Sequence, residues 1–231
     1  MTRAEFDAFA DSYDRDLDRG LSLTGEGKEY YARGRLVAVR RALDGLGVDP
    51  ARVLDYGCGT GTAAPLLREV LGARQVVGVD PSAASIERAR AEHGDDGLRF
   101  VTLADFRGEA AFDLVFVNGV FHHIPPADRA AALQVVSAAI RPGGVLALWE
   151  NNPFNFGTRW VMRRVAFDRD AVMLSPGEVR RLVAAAGLSL HRTSFHFVFP
   201  KMLSWFRGLE SAVSGLPLGG QYLVLASKPL R

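Results

Sequence analysis

The chain has 231 residues, 48% apolar and 23% charged, which is enough to bury one good core with a cap or insertion. Its formal net charge of +2, with lysine only at Lys28, Lys201 and Lys228, offers no electrostatic case for nucleic acid, and the single cysteine, Cys58, excludes an internal disulfide framework and suits a reducing, cytoplasmic setting. The polar N-terminus lacks the apolar core of a secretory signal and no stretch of about eighteen residues is uninterruptedly apolar, so no transmembrane segment is expected.

Residues 27–43 carry Ala32, Leu36, Val39 and Leu43 at i, i+4, i+7 and i+11 with arginines between them, which predicts an amphipathic helix. "GLGVDPA" breaks it, and "RVLDYG" reads as a buried strand entering a turn. Beyond "GCGTGTAAPLLREVL", the run "QVVGVD" is a second strand and "PSAASIERARA" a helix that Ser82 can cap. "LRFV", a turn around Asp105 and "FDLVFVN" continue the alternation. Leu133, Val136 and Ile140 then mark a helical face closed by "RPGG", and "VLALWE" is the next strand. Strands alternating with helices predict βαβ units, whose right-handed crossovers put the strand C-terminal ends along one edge of a parallel sheet.

The last third changes character. Residues 151–174 look irregular, and Ser175-Pro176-Gly177-Glu178 is a capping box opening a helix with Val179, Leu182, Val183 and Ala186 buried and Gly187 at its end. "LSLHRTSFHFVF" and "QYLVLAS" read as two strands forming an antiparallel edge, joined by the aromatic, helical "MLSWFRGLESAVSGL". No repeat or linker licenses a second domain. The expected organisation is a single domain over 1–231, with an N-terminal helical lid (1–45), a cofactor-binding core (50–150) and an acceptor-side insertion with the strand pair (151–231).

The loop Asp55-Tyr56-Gly57-Cys58-Gly59-Thr60-Gly61 follows the first strand and opens a helix, so its glycines let backbone approach a ligand while Asp55 can accept hydrogen bonds from an amine or hydroxyl. Asp80, closing the second strand, stands where doubly wound folds hold a ribose. A dinucleotide fingerprint would need a third glycine where Thr62 stands, and an acid at the loop entrance would repel a pyrophosphate.

The pattern acid-x-Gly-x-Gly-x-Gly resembles that of the class I S-adenosylmethionine-dependent methyltransferases. The likeness extends to "VVGVDPS", "LADF", "FDLVFVNGVFHHI" and "IRPGGVLAL", in the family's order over about residues 50–150, and "FDAFADSYD" is similar to the aromatic lid of many members. The resemblance implies a Rossmann-like, doubly wound α/β fold with a seven-stranded, mostly parallel sheet in the order 3-2-1-4-5-7-6. It implies S-adenosylmethionine as cofactor, released as S-adenosylhomocysteine. Asp55, Gly57, Gly59 and Gly61 would surround the methionine moiety, Asp80 with Pro81 the ribose, and Asp105 with Phe106 the adenine. Asn118 would lie beside the sulfonium. Tyr13 would act as lid and Arg35 would face the cofactor carboxylate, or both are surface residues. Cys58 reads as a filler between glycines.

Asn152-Pro153-Phe154 is similar to the clamp with which some members hold a planar nitrogen, but it follows the fifth strand, whereas the clamp belongs after the fourth, where "NGVFHH" stands. Glu150, Asn152, Phe154, His123 and Trp205 are instead candidates for the acceptor pocket, with a plain turn at Asn152-Pro153 as the alternative. His122 is the candidate general base, or else the histidine pair is packed in the turn. Relatives that use a divalent metal place Glu-x-x-Glu-His here; the matching positions are Gly119, His122 and His123, so no metal is expected. Phe195, Phe197 and Phe199 read as core, and Met202, Trp205 and Phe206 as a stripe over the strand ends, forming an acceptor lid or a peripheral membrane contact. The expected activity is methyl transfer to a small or medium-sized, partly apolar acceptor, with oxygen the preferred atom. Non-methylating chemistry such as cyclisation and a non-catalytic partner subunit are the alternatives.

Overall fold

A computed structural model describes residues 25–108, 110–165, 168 and 171–230. In chain order these form α1 (Lys28–Leu46), β1 (Arg52–Tyr56), α2 (Ala64–Leu71), β2 (Gln75–Asp80), α3 (Ala83–His93), β3 (Leu98–Thr102) and β4 (Phe112–Asn118). There follow a one-turn 3-10 helix (Phe121–His123), α4 (Arg129–Ala139), β5 (Ile140–Asn151), α5 (Phe156–Met162), α6 (Pro176–Ala185) and β6 (Ser189–His196). A 3-10 segment (Lys201–Leu209) running into the short α7 (Glu210–Val213) then leads to β7 (Gln221–Ser227).

The seven strands form one sheet in the order β3-β2-β1-β4-β5-β7-β6, as the resemblance implied. The pairs from β3 to β5 are parallel, while β7 runs antiparallel to both β5 and β6. Alternation along the central strands builds two apolar layers. Val53, Leu114, Phe116, Ala147 and Trp149 pack on one face with Leu36 and Leu43 of α1, Leu67 of α2 and Ile86 of α3. Leu54, Val115, Val117, Leu146 and Leu148 face the other way, against Leu133 and Val136 of α4 and Val179 and Val183 of α6. Each such Val, Leu, Ile or Phe side chain, taken wholly out of water, contributes about 1.5–3 kcal/mol before conformational entropy is counted.

The capping signals act at the residues that carry them. Ser82 accepts a hydrogen bond from the Ser85 N–H (3.1 Å), and Ser175 one from Glu178 N–H (3.2 Å). Glu178 does not close the box with its own side chain; that carboxylate turns to Arg129 instead, at 2.7 Å. "RPGG" is a bulged turn within β5: Gly143 has φ of +76° and the register with β4 steps from Phe112↔Ile140 to Leu114↔Val145, while Gly143 N–H donates to Lys228 O and Lys228 N–H to Gly144 O, both at 2.9 Å, which ties the segment to the end of the chain.

Phe195 and Phe197 do not share a face as strict alternation requires. Phe197 has φ of +62°, so β6 ends before it and its ring swings to the opposite apolar layer, 4.9 Å from Tyr31 and 6.2 Å from Trp149 between ring centroids. Phe195 stays on the other layer, 6.1 Å from Tyr222. Among the described residues, no helix is long and apolar enough to cross a membrane.

Candidate active site

Parallel strands leave the C-terminal ends of β1, β2, β4 and β5 on one edge, where Asp55, Asp80, Asn118 and Glu150 stand. The glycine loop is pinned to its neighbour: Gly57 and Cys58 both donate their N–H to Val79 O, at 2.7 and 3.0 Å. Gly57, Gly59 and Gly61 have φ of +77°, +53° and +80°, the left-handed region that favours glycine. A Cβ on Gly57 would lie 2.3 Å from Val120 Cγ2, so the loop packs directly on the turn after β4. Among the described residues nothing comes within 4 Å of a Cβ built on Gly59, which leaves bare backbone there for a ligand to approach.

Two carboxylates flank this loop. Asp80 is held by backbone, its Oδ2 accepting from Gly59 N–H and its Oδ1 from Ser82 N–H, both at 2.9 Å. Asp55 is buried and its Oδ2 has no hydrogen-bond partner among the described residues. Burial, aided by the charge of Asp80, raises Asp55 to about 7. A buried carboxylate with an unpartnered Oδ2 among the described residues, beside a glycine loop, suits a ligand bearing a cationic amine, and the Asp80 carboxylate is of the type that accepts from hydroxyls. This donor set fits S-adenosylmethionine and opposes a pyrophosphate. The Cys58 thiol is buried and is raised well above its ordinary range, first by burial and then by Asp55 and Asp80, as befits a filler.

The remaining cofactor candidates are not all brought to that edge, since the Phe106 ring packs on Phe112, the first residue of β4. Asp105 is exposed and accepts a hydrogen bond from Thr102 Oγ1 (2.6 Å), and the half-buried Phe106 ring stands 6.3 Å from that of Phe112. Pro81 is exposed beside Asp80, and Asn118 ends β4 in register with Trp149. Arg35 donates to Gln221 Oε1 (2.9 Å), and the Gln221 amide donates to Asn151 Oδ1 (3.1 Å), which ties α1 to the end of β5. Tyr13 lies outside the described residues.

A second polar group sits behind the β4 turn. His122 Nδ1 is 2.6 Å from Glu150 Oε2, while Glu150 Oε1 accepts the Phe121 N–H at 2.7 Å. On the far side, Asp168 Oδ1 lies 3.4 Å from Nε2 of both His122 and His123, whose ring centroids are 4.1 Å apart with the planes tilted by 46°. Burial alone would lower His122, but the charges of Glu150 and Asp168 outweigh it and hold the imidazole up at about 10. His123 goes the other way, to about 3, through burial and then repulsion from His122. His122 is 4% exposed and both its ring nitrogens face carboxylates, so neither points toward open space at the strand ends, where the general-base role expected of it would need one.

Asn152 faces inward. Its amide donates to Pro217 O (3.0 Å) and Gly219 O (2.7 Å) and its Oδ1 accepts from Phe154 N–H (3.1 Å), so the side chain is occupied in folding a turn. Phe154 and Trp205 are 64% and 71% exposed, at the surface rather than in a formed pocket. Sequence reasoning missed Asp168 and Arg129. Arg129 is 1% exposed and donates to Phe121 O, Ile124 O, Val172 O and Glu178, which holds the histidine turn against α6. An arginine opening a helix carries no signal of such a role, and Asp168 stands in a segment without periodicity.

Residues 54–146 match the family described as a methyltransferase domain. The chain is 34% identical over 119 residues to trans-aconitate 2-methyltransferase of Rhodopseudomonas palustris (strain BisB18), covering 52% of this chain and 46% of that protein. It thus spans about half the length of that relative. Ubiquinone biosynthesis O-methyltransferase of Methylocella silvestris is 36% identical over 195 residues, covering 77% of this chain and 69% of the relative. Among solved structures, a complex of the Haloferax volcanii Trm112 methyltransferase activator with a methyltransferase is similar at a TM-score of 0.66 and 22% identity, covering 97% of this chain and 98% of that one. With the sheet order, the glycine loop and these relatives in agreement, the chain belongs to the class I S-adenosylmethionine-dependent methyltransferases.

Proposed function

We propose that this chain transfers a methyl group from S-adenosylmethionine to an ionised oxygen, a carboxylate or acidic phenolate, of a small and partly apolar organic acceptor. The observation that carries the reading is the open glycine loop between the unsatisfied Asp55 and the backbone-held Asp80 at the sheet's C-terminal edge. Bound S-adenosylmethionine supplies a methyl group already activated by its sulfonium. Asp55 would then meet the cofactor's amine, Asp80 with Pro81 its ribose, Asp105 with Phe106 its adenine and Asn118 its sulfonium side, with Tyr13 as lid and Arg35 toward the carboxylate.

What remains for the chain is alignment and the exclusion of water. A neutral hydroxyl would also need a base, and a buried His122 whose two ring nitrogens both face carboxylates does not present one to an acceptor. An acceptor that arrives ionised needs none. The names of the relatives agree in class, one acting on an organic acid and the other at oxygen. His123 and the exposed Phe154 and Trp205 would be the acceptor-side residues, the two aromatic rings toward the apolar part, with Glu150 buried behind them on His122 and the Phe121 N–H.

The test is calorimetric titration with S-adenosylhomocysteine, with Asp80→Ala and a nicotinamide dinucleotide as controls, followed by an acceptor screen read by mass spectrometry. Binding lost in the variant, no dinucleotide binding and methylated carboxylates or phenols would support the reading. Turnover without added methyl mass would replace it with a non-methylating reaction such as cyclisation. A second reading, a subunit that needs a partner, is favoured by exposed Met202, Trp205 and Phe206, since the similar Haloferax volcanii chain is held with an activator. It would be sustained by cofactor binding with no turnover on any acceptor.

A further inference from the structure

Three side chains from two distant stretches of chain converge behind the end of β4. His122 and His123 come from the one-turn helix Phe121–His123, and Asp168 from the connection between α5 and α6. Both imidazole Nε2 atoms lie 3.4 Å from the same oxygen, Asp168 Oδ1. That is longer than a good N–H to O hydrogen bond, about 2.7–3.2 Å. Among the described residues, this buried oxygen indeed has no hydrogen-bond partner.

The spacing has another meaning. Ligand atoms placed tetrahedrally around an ion with bonds of about 2.0–2.1 Å must stand about 3.3–3.4 Å apart. The three candidate ligand atoms all lie within 4.8 Å of one another, and the side chains of His122, His123 and Asp168 are only 4%, 10% and 9% exposed.

The surroundings match a metal ligand's needs. A ligating imidazole commonly gives its other ring N–H to a carboxylate, which fixes tautomer and ring plane. Glu150 stands at 2.6 Å from His122 Nδ1 in that position, and is itself fixed by the Phe121 N–H. Two buried carboxylates thus face two adjacent imidazoles, a donor set that suits a divalent cation.

We infer that His122, His123 and Asp168 bind a divalent transition-metal ion of the zinc type, with Glu150 as the carboxylate that orients His122. Two imidazole nitrogens and one carboxylate oxygen suit zinc or cobalt rather than magnesium or calcium. Three protein ligands leave a position for water or an acceptor oxygen, as in zinc sites that do chemistry. The expectation of no metal rested on the missing Glu-x-x-Glu-His, an oxygen-rich set, and Asp168 brings the needed carboxylate from a segment that pattern does not include. The bound ion would also fasten the Asp168 segment to the histidine turn, which Val172 N–H already joins by donating to His122 O at 2.9 Å.

The experiment is zinc titration of chelator-stripped, untagged protein, with bound metal counted by elemental analysis. One zinc per chain is expected, with uptake at least about tenfold weaker in His123→Ala and Asp168→Ala. Retained S-adenosylhomocysteine binding shows that each variant is folded, and it reports on the cofactor site independently. No stoichiometric zinc in the wild type, or uptake unchanged in both variants, would overturn the inference. Should the variants not fold, cobalt(II) in the wild type decides. Intense visible bands of a four- or five-coordinate ion with two hyperfine-shifted imidazole N–H resonances sustain the site, and a weak octahedral spectrum without them removes it.

Discussion

Glu150 of β5 and His122 of the turn after β4 meet at 2.6 Å with 1% and 4% of their side chains exposed, and the same carboxylate takes the Phe121 N–H with its other oxygen. One residue thereby fixes both the imidazole and the backbone that carries it. Glu150→Gln keeps an acceptor for Phe121 but removes the charge that His122 faces. Denaturant unfolding should show a loss of about 1–3 kcal/mol, since a buried charge-assisted bond is broken while the shape is kept. Zinc affinity should fall about 10–100-fold, the usual effect of losing the carboxylate behind a ligating histidine. Unchanged stability would mean that the pair is neutralised already.

Asp55 links pH to ligand binding. Its folded value, about 7, lies above the ordinary 3.8, so its contribution to stability is fully present below about pH 4 and is lost as pH rises through 7. A ligand with a cationic amine reverses this preference, because it favours the ionised carboxylate. Affinity for S-adenosylhomocysteine should therefore rise between about pH 6 and about pH 8, by at most about tenfold if only the ionised form binds. Calorimetry in two buffers of different ionisation enthalpy would show a proton released below pH 7. Asp55→Asn should bind weakly with a flat pH profile, and a profile as steep as the wild type's would assign the titration elsewhere.

Much of the sheet and the cofactor edge was legible in the chain because local pattern and tertiary role coincide there. The apolar runs ending in Asp55, Asp80 and Asn118 are buried strands ending at the ligand edge, and Ser82 and Ser175 cap as their positions demand. The polar group around His122 was only half legible. Glu150 and Asp168 reach it through strand order and the path of the α5–α6 connection, neither of which leaves a local signal. Phe197 shows the opposite failure, a sound alternation broken by one positive φ that lets a bulky ring fill the space beside Gly34, where a Cβ would stand 2.8 Å from its Cε1.

Arg129 should behave as a structural lock. Its guanidinium is buried and serves three carbonyls, Phe121 O, Ile124 O and Val172 O, besides Glu178 at 2.7 Å. Arg129→Leu would strand those acceptors and leave Glu178 without its partner, a loss of about 3–5 kcal/mol. Lysine should recover little, because a single ammonium cannot reproduce a planar fork with several fixed donors. Urea unfolding of both variants checks this. A leucine variant within about 0.5 kcal/mol of wild type would show that water replaces the guanidinium.

The contact between Gly57 and Val120 couples the cofactor loop to the histidine turn, and substitution can separate its two components. Alanine at position 57 meets Val120 Cγ2 at 2.3 Å and Cγ1 at 2.9 Å, and also inherits a φ of +77°. Overpacking costs about 1–3 kcal/mol, and left-handed backbone about 1–2 kcal/mol for a residue with a Cβ. Gly57→Ala should therefore lower thermal stability and weaken S-adenosylhomocysteine binding together, as the loop lifts from Val79. Adding Val120→Ala removes both Cγ atoms and should restore the overpacking part alone, leaving the backbone strain. If the double variant is no better than the single one, the strain at φ dominates, and the glycine is required by its backbone angle rather than by its neighbour.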